Sequence, residues 1–473
     1  MRITVRSDEI VRVWPRVEVW QNSTLRYSPP KDFPEYLERQ IGRARIMRCW
    51  ITLDEFWDYK TGEYFPDYKI GVLRYPLEEL YYQYDWKNIV PAPSGTRFED
   101  YLTSHASHAD EVMLNVRRLE REVSDGIITY EQYETVFERA VEYCKSMAPN
   151  IRYIECCNEV ELGGFGRLTM DEYYKIYRCA YRALRRLNAK HNYEVPLKLG
   201  GYAKACILRR SDLWESFLEK LAEDKDPDKL LDFYSLHLYN NSLTEGMKKS
   251  REIEAAVTMS AAERFKLFLY MHNKKLKELG LPQKPIFIDE MGSTSTTKIP
   301  TDSLRNAAGV ISNLIASADM ENIYMFPWCT FHNPNLQISF TQFLMLEGGS
   351  YVPTPNGNAI IMLHRLAKKQ LKIDENTDYR AVATAEDNRI TILCTNTTGE
   401  IDEFRARIVG LKAGRVVMKE YLCDSYRNNR VTGEQVKELH ATRHAEFVVS
   451  DGVVELFAVA EPYAFVLWEL ELY

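Results

Sequence analysis

The chain is 473 residues long, 45% of them hydrophobic and 27% charged, with a net charge of -7. That length can bury one large core and a smaller one, and the mildly acidic balance, with no basic cluster interleaved with aromatics, argues against nucleic acid or an anionic membrane as partner. No window approaches a membrane span, the start MRITVRSDEIVRVW lacks an apolar core of signal-peptide length, and nine cysteines without a CxxC pair or recurrent spacing point to reduced thiols, so a cytoplasmic location is expected.

Residues 1–14 alternate apolar and polar, with Ile3, Val5, Ile10, Val11 and Val13 on the apolar beat, and read as edge strands. Residues 17–21 and 44–50 are short strand-like runs, the second ending in Arg48 and Trp50. Residues 54–103 are rich in Tyr, Trp and Pro without a period and read as a long excursion at one end of the fold, a position usually given to function. Residues 111–117 return to strand character. A helix follows from Thr129, with Gln132 completing a capping box and Tyr133, Val136, Phe137, Ala140, Val141 and Cys144 on one face.

Residues 151–168, IRYIECCNEVELGGFGRL, are a buried-looking strand that stops in polar chemistry. Ile151, Tyr153 and Ile154 lead to Asn158 and Glu159, and Gly163, Gly164 and Gly166 open a loop. A second capping box, Thr169 with Glu172, starts a helix whose stripe is Tyr173, Ile176, Tyr177, Ala180, Leu184 and Leu187. Strand-like runs continue at 196–203, 231–239, 285–290 and 322–330, with helices expected over 260–279, stopped by Gly280 and Pro282, and over 301–320.

Eight strand-like runs, most separated by helices, predict a (β/α)8 TIM barrel over residues 15–365. Beyond Leu366 alternating runs at 379–385, 389–395, 403–409, 416–422, 445–449 and 453–470 predict an accessory antiparallel β-sandwich, residues 366–473, completed by strands from residues 1–14. In such a barrel the strand C-termini carry the site, and Arg48, Asn158, Glu159, His237, Tyr239, Glu290 and Trp328 all fall there.

An isolated Asn-Glu pair is as well explained by a helix cap or a loop salt bridge. The stretch 284–294, KPIFIDEMGST, weighs against that, because it too runs apolar and ends in a carboxylate, Glu290. Two strand-end carboxylates are what glycosidic bond cleavage needs, one to protonate the departing oxygen and one to attack or to activate water. Neighbouring carboxyls stay in competition. Glu155 and Glu161 flank Glu159, with Glu161 the stronger rival because it lies on the loop, whereas Asp289 should point to the opposite face of its strand from Glu290. The nine histidines show no ligand spacing such as HxxxH, and no metal or other cofactor is expected.

These residues resemble glycoside hydrolase clan A, and within it most closely family 39, the β-xylosidase and α-L-iduronidase family. CNEVEL is similar to the family's Trp-Asn-Glu-Pro-Asn pattern, keeping Asn158 and Glu159 while Cys157, Val160 and Glu161 depart from it. DFYSLHLY is similar to Asp-Phe-x-Ser-x-His-x-Tyr and places His237 and Tyr239, and IFIDEMGSTST is similar to the Thr-Glu-x-Gly-Ser segment, with Asp289 in place of Thr. FLMLEGGSYVPTPNGNAI resembles the return into the last barrel helix, and EYLCDSYRNN a sandwich segment with Asp424 and Asn428.

The resemblance implies a retaining glycoside hydrolase acting on a β-linked glycoside or oligosaccharide, β-xylosidase- or β-glucosidase-like and exo-acting, with Glu159 as general acid and base, Glu290 as nucleophile and Asn158 as donor to the sugar hydroxyl beside the anomeric carbon. Arg48 is kept where it can hold the nucleophile, while Trp50 stands where the family has a histidine and offers a stacking surface instead. His237 alone reads equally as a structural histidine, and Trp328 is either barrel core or a platform under the sugar. Trp20 and Phe165 are weaker stacking candidates. The alternative is a carbohydrate-binding barrel that is catalytically weak or inactive.

Overall fold

The computed structural model describes residues 1–23, 31–64, 69–70, 96–162, 165–205, 211–239, 261–293, 302–332, 339–346, 348–375 and 378–473. Eight parallel strands pair in chain order: Trp20–Asn22, Ala44–Thr52, Ala109–Arg117, Ile151–Cys156, Lys198–Lys204, Phe233–Tyr239, Ile286–Gly292 and Ile323–Pro327. The two ends of this sheet meet. The Thr330 N–H donates to the Asn22 carbonyl at 2.9 Å, and the Trp20 and Tyr324 rings lie 5.1 Å apart, so the sheet closes into the expected barrel.

Every residue of Phe233–Tyr239 and Ile286–Gly292 is buried, as a strand must be when it faces a packed barrel interior on one side and helices on the other. Ile46, Met113, Phe233, Phe287 and Phe326 fill the lower interior, with Phe233 and Phe287 stacked at 4.8 Å. That apolar plug leaves only the strand C-termini for polar chemistry. Trp20 belongs to this lower layer, so the weaker stacking role considered for it falls away.

Both capping boxes form. Thr129 starts Tyr130–Met147 and Thr169 starts Met170–His191, each threonine exchanging hydrogen bonds with the residue three further on. The tyrosine stripe of the second helix is core, and it packs close because strand five carries glycines: a Cβ on Gly201 would sit 2.3 Å from the Tyr173 hydroxyl.

Part of the excursion expected over 54–103, residues 65–68 and 71–95, lies outside the described residues. Its described ends are helical at Leu53–Phe56 and Phe98–Ser107 rather than aperiodic.

Beside the barrel stands a nine-stranded, mostly antiparallel sheet. Ile3, Leu371, Ile392, Phe404, Val416, Leu456 and Trp468, drawn from seven of its strands, share one core, which requires the sheet to fold over on itself. The expectation of N-terminal edge strands is corrected. Arg2–Val13 is one strand inside the sheet, antiparallel to Lys369–Asp374 and parallel to Asp402–Val409, because Ile3 and Val5 are needed in that core. The run 453–470 is two strands, Val454–Ala460 and Phe465–Leu472, parted by a turn. Asn428 joins the two units. Its side chain donates to the Leu422 and His440 carbonyls at 3.0 Å each, and its own carbonyl accepts from Asn358 of the last barrel helix at 2.7 Å.

Candidate active site

Arg48, at the C-terminal half of strand two, is completely buried and holds the centre of the barrel mouth together. Its Nη2 reaches Glu155 at 2.6 Å, Asn158 Oδ1 at 2.9 Å and Asp289 at 3.0 Å, and its Nη1 reaches Glu290 at 3.0 Å. The planar guanidinium can serve several carboxyls at once, which a lysine cannot. Tyr239 donates to the other oxygen of Glu290 at 2.8 Å, so both oxygens of that carboxylate are fixed.

Strand four ends in a kink. Cys157 and Glu159 have φ of 69° and 48°, the left-handed region that non-glycine residues enter at a cost. Neighbouring strands hold them there: Cys157 N–H donates to Val116 at 2.9 Å, Asn115 Nδ2 donates to the Cys157 carbonyl at 2.8 Å, and Glu159 N–H donates to Ala203 at 3.0 Å. The kink turns Asn158 and Glu159 over the barrel axis. Glu159 Oε1 lies 2.7 Å from His237 Nδ1, and single atoms of Glu159, His237 and Glu290 lie within 4.8 Å of one another.

Asp289 corrects the expectation that it points away from the site. Strand seven bulges between Ile288 and Glu290, and the extra residue breaks the alternation of sides. Asp289 is therefore buried beside Glu290, against Arg48 and 3.7 Å from His237 Nε2.

Six ionisable groups thus share one buried cluster. Burial opposes the charge on His237, but Glu290, Asp289 and Glu159 outweigh it and hold the imidazole well above its ordinary pKa. Single donor atoms of Glu159, His237 and Glu290 are close enough together to share a cation or a proton. Burial pushes Glu155 up to about 8 against the pull of Arg48, while Asp289 stays ionised, the burial cost being overcome by Arg48, Glu155 and His237. Glu155 Oε1 and Asp289 Oδ1 are buried without a hydrogen-bond partner among the described residues, while Asp289 Oδ2 is ion-paired with Arg48. A proton on Glu155, shared with Asp289, satisfies them.

That assignment makes a prediction about pH. Glu155 is neutral in the fold and ionises at lower pH when unfolded, so its contribution is full below about 4.5 and is lost as pH rises to about 8. Glu155→Gln supplies the same donor to Asp289 permanently. The variant is expected to keep the wild-type Tm near pH 5 and to lose part of the alkaline decline, the remainder belonging to His237. Asp289→Asn, which removes the anion between two cations, should lower Tm at every pH. Thermal melts from pH 5 to 9 check this, and a Glu155→Gln protein melting far below wild type at pH 5 would refute the neutral carboxyl.

The other sequence candidates divide. Trp328 is half-buried at the end of strand eight and keeps an accessible part. Trp50 is 3% exposed, with its Nε1 donating to Ser23, the Arg48 guanidinium 4.1 Å above its ring and the Trp328 ring 5.9 Å away. It backs the site and does not line it. Glu161 turns aside to the Ala205 N–H at 2.9 Å, so the rival on the loop is not the group facing Glu290. Asn115 escapes the sequence reading and Glu155 enters it only as a rival of Glu159, although each is a polar residue inside an apolar strand run, a signal the sequence does carry.

The sequence profile of glycosyl hydrolases family 39 matches residues 143–406, more than half of the chain. Solved structures agree in fold. The GH39 enzyme from Xanthomonas axonopodis pv. citri superposes with a TM-score of 0.66 at 15% identity, covering 100% of this chain and 97% of that one. A monomeric beta-xylosidase from Caulobacter crescentus CB15 gives 0.65 at 14%, covering 99% of each chain. A glucosidase from Croceicoccus marinus gives 0.62 at 16%, covering 100% and 99%. No curated protein sequence matches.

Proposed function

The chain belongs to glycosyl hydrolases family 39 and is a glycoside hydrolase, and from that premise we propose that it is a retaining, exo-acting enzyme for β-linked glycosides, working by double displacement with Glu290 as nucleophile and Glu159 as acid and base. The observation that carries the proposal is that one carboxylate oxygen of Glu159 and one of Glu290 lie within 4.8 Å of each other, which suits the close carboxyl spacing of retaining sites, about 5 to 5.5 Å, better than the about 6.5 to 9.5 Å of inverting ones. The likeness to a beta-xylosidase supports the β-linked part.

Glu290, held by Arg48 and aimed by Tyr239, attacks the anomeric carbon as Glu159 gives its proton to the departing oxygen. The C–O bond to the leaving group breaks and an ester to Glu290 forms. The charge then left on Glu159 falls 2.7 Å from His237 Nδ1, which can donate to it. In the second step Glu159 takes a proton from water, whose oxygen displaces Glu290 and restores the original configuration. Because Arg48 occupies Asn158 Oδ1, the Asn158 amide N–H groups are the ones turned to substrate, where they can hold the hydroxyl next to the anomeric carbon.

The test is hydrolysis of aryl β-D-xylosides, β-D-glucosides, β-D-galactosides and α-L-arabinofuranosides by the wild type and Glu159→Ala. Glu159→Ala is expected to lose about 100- to 10,000-fold on poor leaving groups. It should lose far less in forming the ester from dinitrophenyl glycosides, and added azide should give a glycosyl azide of retained configuration. An inverted first product, or a wild type inert on every glycoside, would sink this reading.

A further inference from the structure

Strand seven carries one residue more than its neighbours, and that residue decides which carboxylates face the barrel mouth. Phe287 points into the barrel, among Phe233 and Phe326. Ile288 and Met291 point the other way, into the core shared with the surrounding helices. On strand eight their partners are Met325 and Pro327, with Phe326 alone between them, and on strand six Leu236 and Leu238, with His237 alone between them. Strand seven has two residues in that interval, Asp289 and Glu290. Unbroken alternation from Phe287 would leave Asp289 inside and turn Glu290 to the helices. The bulge brings Glu290 inside as well, in register with His237.

A bulge takes the backbone of its extra residue out of the ladder. The Asp289 carbonyl is caught from across the barrel instead. Asn22 Nδ2 donates to it at 2.5 Å, and Arg48 Nη1, which also holds the Glu290 carboxylate at 3.0 Å, adds a longer contact at 3.4 Å. Asn22 is the last residue of strand one and is completely buried. Its own carbonyl accepts from the Thr330 N–H at 2.9 Å and hydroxyl at 3.0 Å, and its register partner on strand two is Arg48. Alternation from Trp20, a member of the lower interior layer, turns the Asn22 side chain inward. A side chain anchored where the barrel closes therefore reaches past strand eight to hold strand seven. Its amide can serve only one way round, because Oδ1 in place of Nδ2 would set acceptor against acceptor.

We propose that Asn22 is a positioning residue for the nucleophile: by holding the Asp289 carbonyl it keeps the strand-seven bulge in register and Glu290 turned to Arg48 and Tyr239. It acts through the backbone of strand seven and not on the substrate. The effect on rate rests on the reading of Glu290 as nucleophile, whereas the placement of Glu290 is visible without any reaction.

Two variants test this. Asn22→Ala removes the donor, and Asn22→Asp keeps the shape but sets an oxygen against the Asp289 carbonyl. The measurements are kcat and KM on a glycoside the wild type cleaves, the rate of inactivation by the matching 2-deoxy-2-fluoro glycoside, Tm, and a crystal structure of each variant. Both variants are expected to lose about 100-fold in kcat and in inactivation rate with KM little changed, the usual effect of misplacing a reacting group by about 1 Å. The crystal structures should show the Glu290 carboxylate displaced from Arg48 and Tyr239 by about that distance. A side chain that only fills space would leave Asn22→Asp equal to the wild type. Wild-type kcat in either folded variant, or Glu290 unmoved in its crystal structure, would overturn the proposal. If one variant does not fold, the other decides, and failure of both would make Asn22 a requirement of barrel closure and end the proposal. A wild type that cleaves no glycoside would count against the hydrolase reading, and the position of Glu290 in the variants would then decide the proposal alone.

Discussion

Glu290→Gln is expected to lower kcat by about ten-thousand-fold or more on every glycoside the wild type cleaves, at least ~5 kcal/mol of barrier, with the fold intact. The amide keeps the shape of the side chain and can still meet Tyr239, but it cannot form the ester on which double displacement depends. The fold should survive because Arg48 retains Glu155, Asp289 and Asn158. The measurement is kcat alongside Tm, with a 2-deoxy-2-fluoro glycoside of the cleaved sugar to trap the wild-type intermediate. Label found on Glu290 supports the assignment. Label on Asp289 would move the nucleophile by one residue, a real contest because the bulge in strand seven puts both carboxylates on the inner side.

Arg48→Met should be more damaging to the whole molecule. One completely buried guanidinium faces Glu155, Asp289 and Glu290, and burial works against its charge while those three carboxyls raise its pKa. Methionine fills much of the volume and leaves the anions without a partner, a loss of about 3 to 5 kcal/mol for breaking a buried pair. Activity should fall with it, because Glu290 loses the cation that holds its carboxylate in place and Asn158 loses the contact that orients its amide. Denaturant melts and kcat at matched folded fraction would separate the two effects. Wild-type stability in Arg48→Met would mean that the carboxyls take up protons freely, and the cluster described above would then be wrong in its charges.

The two most informative departures from the sequence reading lie inside this cluster. Asp289 was expected on the far face from strand alternation alone, and one bulge, which has no glycine or proline to announce it, reversed that. Trp50, taken as a surface for sugar, is roofed by Arg48 and Trp328. By contrast Glu159 opposite Glu290, Arg48 and Tyr239 on Glu290, and His237 on Glu159 all assemble from residues legible as strand ends.

Periodicity, turn residues and the two capping boxes were enough to determine the barrel, its helices and the end of it where chemistry belongs, because these are local consequences of side-chain spacing and backbone preference. Which carboxyl carries a proton, which tryptophan is accessible and how far Glu159 stands from Glu290 were decided only in three dimensions. Those properties depend on charges and surfaces brought together from strands about 50 to 240 residues apart in sequence, where one guanidinium closes the distance between Glu155, Asn158, Asp289 and Glu290.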